Sequence, residues 1–369
     1  MSTADTPTSG SGGTATTPRV LFSADIFTRQ RSGGISRYHA ELFHGLSDQG
    51  VDARIVLGPG GHPYFGRPVA GVASVPGVVP GRWAVKAGEI WTRLEMLRRA
   101  ATVFHPTYYT ARPVGRAPSV ITIHDLIHLK GLSNDPEKAT VVEGQRFWAQ
   151  RADTVIAVSE STANDVMELL GVARSKIRVV HLGVRADVVP EPIARCAEPT
   201  LVFVGHRGGY KNWAACVQAL ARPDLHEWRL VCIGGGSPSR DERDMLIAEG
   251  VLDRVRFVGP SDDRELDGWL RSATALIYPS TYEGFGLPPL EAMVRGTPVV
   301  AANRASIPEV CGDAAILVDP EPDGLADGIG RLTDQSLRAE LGVRGIERAR
   351  QFSWESTSTR TREIYDELA

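Results

Sequence analysis

Y-P-S-T-Y-E-G-F-G-L-P-P-L-E-A-M, running from Tyr278 to Met293, is the stretch on which the fold turns. The apolar run that leads into it, Ala273 to Tyr278, predicts a buried strand. Glu283-Gly284-Phe285-Gly286 predicts a tight loop, and Leu287 onward a helix with prolines in its first turn. The first N–H groups of such a helix have no internal partner and its dipole is positive there, so the turn is an anion site. Pro288 and Pro289 cost little at that end, and Gly284 and Gly286 let the backbone approach a ligand. A pyrophosphate takes N–H groups rather than carboxylates, which leaves Glu283 and Glu291 for hydroxyls. Phosphate beside a polyol points to a nucleotide sugar.

The strand-loop-helix unit recurs along the chain. Val20 to Ser23, Ala53 to Leu57, Thr102 to His105, Ser119 to Ile123, Thr154 to Val158 and Ile177 to His181 are predicted strands, apolar enough to be covered on both faces. After Glu191-Pro192 the pattern restarts, with strands expected at Thr200 to Val204, Arg229 to Ile233, Arg254 to Val258, Ala273 to Tyr278, Pro298 to Ala301 and Ala315 to Val318. Two such β-α series predict an α/β chain of two Rossmann-like, doubly wound domains, 19–192 and 193–353, with ligand between them at the carboxyl ends of the strands.

Composition excludes several classes. At 369 residues the chain is long for one core. Lys and Arg number 41 against 44 Asp and Glu, with no charge block able to track a nucleic-acid backbone, so no nucleic acid is expected as partner. Cys196, Cys216, Cys232 and Cys311 form no C-x-x-C pair, which predicts neither zinc nor a disulfide framework. Residues 1–18 are Ser, Thr, Gly, Ala and Pro without the pattern of a signal peptide, and are expected to be a disordered leader. No segment reaches the roughly 20 apolar residues of a membrane span. A cytoplasmic location is expected.

Other stretches carry both a functional and a plain structural reading. Gly33-Gly34 opens a helix whose apolar face holds Ile35, Tyr38, Leu42 and Leu46, which suits phosphate contact or a simple turn. The segment 82–100 combines Trp83, Ile90, Trp91, Leu94 and Leu97 with five basic residues; it can lie on an anionic membrane at the inner face, as a peripheral contact, or cover the sheet. His124 and Asp125 follow a strand end, where His124 meets ligand or caps the strand and Asp125 can orient its ring. Arg207 and Lys211, four residues apart in a glycine-containing loop, present two cations for a departing nucleoside diphosphate, and Asn212 can cap the helix that follows. Gly234-Gly235-Gly236 lacks the third glycine of a dinucleotide fingerprint and predicts a strand-to-helix turn. Asp262 and Asp263 either cap the next helix or face ligand.

Taken with Gly296-Thr297-Pro298-Val299-Val300 and Ser306-Ile307-Pro308-Glu309-Val310-Cys311-Gly312-Asp313-Ala314-Ala315, the paired Glu283 and Glu291 with seven residues between them resemble the family 4 retaining glycosyltransferases of the GT-B fold. The likeness covers essentially everything after residue 19, and its S-I-P-E-V wording is similar to the mannosyltransferase-like branch. The resemblance implies that Arg207 and Lys211, with the backbone of Phe285, Gly286 and Leu287 beyond Gly284, grip the diphosphate. It implies Glu283 on the donor sugar, Glu291 on the ribose, Gly34 beside the phosphates, His124 facing the transferred sugar and Asp262 near the base. The last helix, from Trp354 through residue 369, is expected to pack on the first domain. Retention at C1 follows, with the leaving diphosphate taking the acceptor's proton; no metal or cofactor is required, the nucleotide sugar being a substrate. A carboxylate at Asp262 can accept from the N1–H and amino group of guanine, which favours GDP-mannose as donor. The acceptor is expected to be a glycan, a lipid-linked sugar or a small molecule, as in polysaccharide biosynthesis. UDP- or dTDP-sugar transfer, a non-catalytic nucleotide-sugar binder and an epimerase are the alternatives.

Overall fold

A computed structural model describes residues 17–369, except 59–60, 67–69, 75–89, 91–93, 95–100, 114, 134, 189, 192, 194–196 and 260. The expected leader therefore lies outside the described residues except for its last two, and so does the 82–100 segment apart from Ile90 and Leu94, both helical and exposed.

The strands are β1 (Arg19–Phe22), β2 (Asp52–Leu57), β3 (Val72–Ser74), β4 (Val103–His105), β5 (Val120–Ile123), β6 (Thr154–Ala157) and β7 (Ile177–Val179) in the first half. In the second they are β8 (Thr200–Val204), β9 (Arg229–Ile233), β10 (Val255–Val258), β11 (Ala275–Tyr278), β12 (Val299–Ala302) and β13 (Ile316–Val318). Among the described residues every pairing is parallel. The first half orders as β3-β2-β1-β4 beside β5-β6-β7, the two sets joined through a parallel bridge between Phe104 and Ser119. The second orders as β10-β9-β8-β11-β12-β13, the doubly wound pattern in which the strand order reverses beside the first strand of the domain. Strands β5, β6, β11 and β12 are buried along their whole length, as helices on both faces require.

Each predicted strand is found to within two residues at either end. The missed one, β3, is a three-residue edge strand preceded by Gly71, which holds φ +84 with its α-carbon against the Ala53 carbonyl. Such a short strand carries no pattern.

Helices relevant to the site are α1 (Asp25–Arg29), α2 (Gly34–Asp48), α3 (Lys138–Arg151), α4 (Glu160–Leu170), α5 (Trp213–Leu220), α6 (Arg240–Ala248), α7 (Asp263–Ser272), α8 (Leu287–Met293), α9 (Ile307–Cys311), α10 (Pro322–Arg331), α11 (Gln335–Ala349) and α12 (Trp354–Leu368). Local chemistry sets their ends: Ser159 accepts from the Thr162 N–H at the start of α4, and Gly171 closes it in the left-handed region. Helix α12 lies along α2, with Ser358 so near Gly45 that a Cβ there would sit 2.6 Å from its Oγ, and Gln49 Nε2 donating to Ser358 Oγ at 2.8 Å. The last helix of the chain is thus part of the first domain's outer layer.

Candidate active site

The loop Glu283–Gly286 is held by its carbonyls. Ser306 Oγ donates to the Glu283 and Phe285 oxygens at 2.9 and 2.8 Å, while Ser159 Oγ and Thr162 Oγ1, from the first domain, donate to the Gly284 oxygen at 2.6 and 3.0 Å. In a trans peptide the N–H points opposite to the carbonyl, so the N–H groups of Gly284, Phe285 and Gly286 turn away from these hydroxyls. The Phe285 ring is core, packed near His181 and edge-on to Phe352, which leaves only its backbone for a ligand. Gly286 holds φ +105, and a Cβ there would meet Ile307 at 2.7 Å. Gly284 abuts the His124 carbonyl. Both glycines also serve packing between protein segments.

Lys211 reaches this loop from the β8–α5 connection. Its Nζ donates to Glu283 Oε1 at 2.7 Å and to the Tyr278 hydroxyl at 3.3 Å, and lies over the Tyr210 and Tyr278 rings. Asn212, expected to cap α5 through its side chain, instead sits at φ 55 and donates to the Pro320 carbonyl at 2.7 Å. Arg207 behaves differently from Lys211. Its guanidinium is buried, donating to Glu242 Oε1 at 2.8 Å, to Glu242 Oε2, and to the carbonyls of Gly234, Gly235 and Ser237. All three guanidinium nitrogens donate within the second domain, pinning the Gly234–Ser237 turn where all three glycines hold positive φ. Of the two cations expected beside the helix start, Arg207 is taken up by Glu242 and the 234–237 turn, and only Lys211 reaches the 283–286 loop, where it pairs with Glu283.

From the first domain come His124 and Asp125. The His124 ring is buried edge-on against Tyr38 at 4.8 Å, its Nε2 has no partner among the described residues, and burial pulls its pKa down to about 3. It is a neutral imidazole. Asp125 does not orient that ring: its Oδ1 accepts from the Ile127 N–H at 3.1 Å. Burial raises the Asp125 pKa, and the Glu283 and Lys211 charges act on it from across the domain boundary. His105, at the end of β4, is held by Thr122 Oγ1 at 3.0 Å and by the Tyr365 hydroxyl.

Gly33 is extended, whereas Gly34 is exposed with nothing within 4 Å of where a Cβ would stand. Neither strain nor packing against the protein requires a glycine at 34. Asp262 is the N-cap of α7, its Oδ1 accepting from Arg264 and Glu265 N–H at 2.9 Å each. Glu291, on α8, accepts from Arg37 Nη1 at 3.3 Å, across from α2.

Residues invisible to motif reasoning close the two domains together. The Tyr282 hydroxyl donates to Asp165 Oδ2 at 2.8 Å and accepts from the Leu126 N–H at 3.1 Å. Glu309 accepts from His181 Nε2 at 2.8 Å and from the Glu160 and Ser161 N–H groups at the start of α4, at 2.8 and 3.2 Å. Their partners lie more than a hundred residues away, and only the S-I-P-E wording around Glu309 marked one of them.

Two family descriptions match the chain, Glycosyltransferase Family 4 over residues 32–188 and Glycosyl transferases group 1 over residues 192–352. The chain is 30% identical to the O-antigen chain mannosyltransferase B of Escherichia coli over 71% of its own length and 74% of that protein. This protein belongs to the family 4 glycosyltransferases. It is also 29% identical to a D-inositol 3-phosphate glycosyltransferase of Thermobispora bispora, covering 91% of this chain and 90% of that one. Among solved structures, Anabaena HepE in complex with UDP and glucose superposes with a TM-score of 0.73 at 18% identity, over 95% of this chain and all of that one. The architecture is GT-B, and Lys211, Glu283 and His124 stand at the boundary between the two halves of this family 4 glycosyltransferase. Among the described residues no helix is long and apolar enough to cross a membrane, and no group of His, Cys, Asp and Glu could hold a metal ion.

Proposed function

We propose that this glycosyltransferase transfers a hexose, with retention at C1, from a nucleotide sugar to a glycan, lipid-linked or small-molecule acceptor. The observation that carries the site assignment is the meeting of the Lys211–Glu283 pair with His124 and Asp125 at one point of the domain boundary. In this proposal the diphosphate takes the Lys211 ammonium and the N–H groups of the 284–287 loop, which stabilise the charge growing on the leaving group as the C1–O bond breaks. Glu283 accepts hydroxyls of the donor sugar, neutral His124 offers its unpartnered Nε2 to the sugar, Gly34 leaves room for phosphate, and Glu291 accepts the ribose diol. The diphosphate then takes the acceptor's proton, and no metal is needed for charge balance.

For the donor, GDP-mannose is the first choice on the likeness to a mannosyltransferase. Asp262 supports it less than its residue type suggested, since one of its oxygens already caps α7. A UDP-sugar donor is the second reading, favoured by the fold shared with HepE, solved with UDP and glucose. A panel of GDP-, UDP- and dTDP-sugars, followed by thermal shift and by release of nucleoside diphosphate, decides between them. Stabilisation by UDP-sugars alone removes the mannose assignment, and release from none of them removes transfer itself.

A further inference from the structure

Arg37 stands one turn into α2 and reaches across the domain boundary. Its Nη1 donates to Glu291 Oε1 at 3.3 Å and its Nη2 pairs with Asp263, while the guanidinium lies near the Tyr64 ring. The side chain is 21% exposed and that of Glu291 16%. The other cations nearby are differently engaged. Arg295 donates from Nε to Asp267 and from Nη1 to the Glu291 carbonyl at 2.9 Å, and Arg185 pairs with Asp187 and Glu41. Among the described residues, Arg37 is the one side chain that donates to the Glu291 carboxylate, and it does so at Oε1. Oε2 is left for another donor.

We propose that Arg37 is a positioning residue for the nucleotide ribose, holding the Glu291 carboxylate from the opposite domain so that Oε2 accepts the ribose hydroxyls. This rests on the assignment of Glu291 to the ribose made above. A carboxylate on its own helix, facing Asp263 and Asp267 in a small pocket shared with Arg37, would be repelled from them and free to turn. Burial raises the Glu291 pKa, and Arg37 and Arg295 oppose that rise. A guanidinium is suited to the task because its fork spans two carboxylates in one plane. The consequence is that ribose recognition is complete only when the domains are together: half of it belongs to α2 and half to α8.

The test is a cycle between variant and ligand, read by calorimetry on the full chain with GDP and 2′,3′-dideoxy-GDP, and with UDP and its dideoxy counterpart alongside. Wild type should bind the ribose form roughly tenfold or more tightly, the scale of a hydrogen bond to a charged group. Arg37→Gln should bind both forms alike, at the level of the dideoxy ligand, while Arg37→Lys, which keeps the charge without the fork, should retain part of the discrimination. A loss of discrimination is a readout that mere destabilisation would not produce, and Arg37→Lys preserves the test should Arg37→Gln fold poorly. Undiminished discrimination in both variants overturns the proposal. So does tighter nucleotide binding by Arg37→Gln, since Arg37 would then compete with ribose. If wild type does not discriminate, or Glu291→Gln discriminates as wild type does, the ribose assignment of Glu291 fails and this proposal with it. A failure confined to Arg37 leaves that assignment standing.

Discussion

Gly284 of the second domain rests against the backbone carbonyl of His124 in the first, so closely that a Cβ at 284 would overlap that oxygen and lie 3.0 Å from Asp125 Cβ. Ser159 and Thr162, also from the first domain, hold the Gly284 carbonyl from the other side. The loop of the candidate donor site is thereby seated on the domain that carries His124.

Gly284→Ala should therefore separate the halves rather than unfold either. The obstruction is backbone, which cannot rotate away as a side-chain tip can. Transfer should fall by about a hundredfold or more, ~2.7 kcal/mol in the barrier, with far-UV circular dichroism unchanged. Small-angle scattering should show a larger radius of gyration. Normal turnover by this variant would mean that the closed contact is not the active arrangement.

Arg207→Ala should act on stability first. The substitution strands Glu242 and leaves the Gly234, Gly235 and Ser237 carbonyls without their donor. Removing one member of a buried pair costs about 3 kcal/mol, reduced to roughly 2 here because Glu242 remains partly in water. Chemical denaturation should show that loss. A drop in rate with unaltered stability would return Arg207 to the role of a phosphate contact.

Lys211→Ala should show the opposite pattern. Its ammonium is the cation at Glu283, and removing it should slow transfer by about a hundredfold, ~2.7 kcal/mol, with a smaller stability loss than Arg207→Ala, because one carboxylate loses its cation there instead of a carboxylate and three carbonyls losing their donor. Parallel measurement of kcat and Tm in both variants separates the two roles. Equal kinetic losses without a stability difference would restore the paired-cation arrangement.

This division between Arg207 and Lys211 marks where sequence legibility ended. Strands such as Thr200–Val204 and Arg229–Ile233 were readable because a parallel strand buried on both faces must be a continuous apolar run. The position of Glu283 and Glu291 on one strand-loop-helix unit was readable for the same local reason. Whether an arginine in a loop faces ligand or is absorbed by a glutamate 35 residues later is not local. Tyr282 with Asp165, Glu309 with His181, and Arg37 with Glu291 join elements brought together only by the packing of two domains, so no periodicity or spacing reports them. Gly284 was recognised as a residue whose missing side chain matters, but the neighbour that demands it is protein backbone.

The buried histidines give the fold a pH dependence whose sign can be derived. His39 lies 5.4 Å from the His105 ring and 5.9 Å from the His124 ring; burial lowers His105 and His124 to about 3 and His39 well below its ordinary 6.5. Unfolded, all three take protons near 6.5, while the native chain does not until far lower, so the unfolded state binds more protons in between. Their stabilising contribution is complete above that pH and is lost as the pH falls. From pH 7.5 to 5.5 each loses about 1.4 kcal/mol, about 4 kcal/mol together. Asp125 and Glu291, raised by burial, work the other way, because the native state holds their protons to higher pH than the unfolded chain does. Glu41, also raised by burial, is a third opposing carboxyl, but the three histidines titrate in the unfolded chain inside this pH window and the carboxyls below it, so the net is a loss in acid. Urea unfolding at the two pH values should show lower stability at 5.5, and His39→Gln should shrink the difference by about a third of the histidine contribution. Stability equal or greater at pH 5.5 would mean that these rings reach solvent or a proton in the native state.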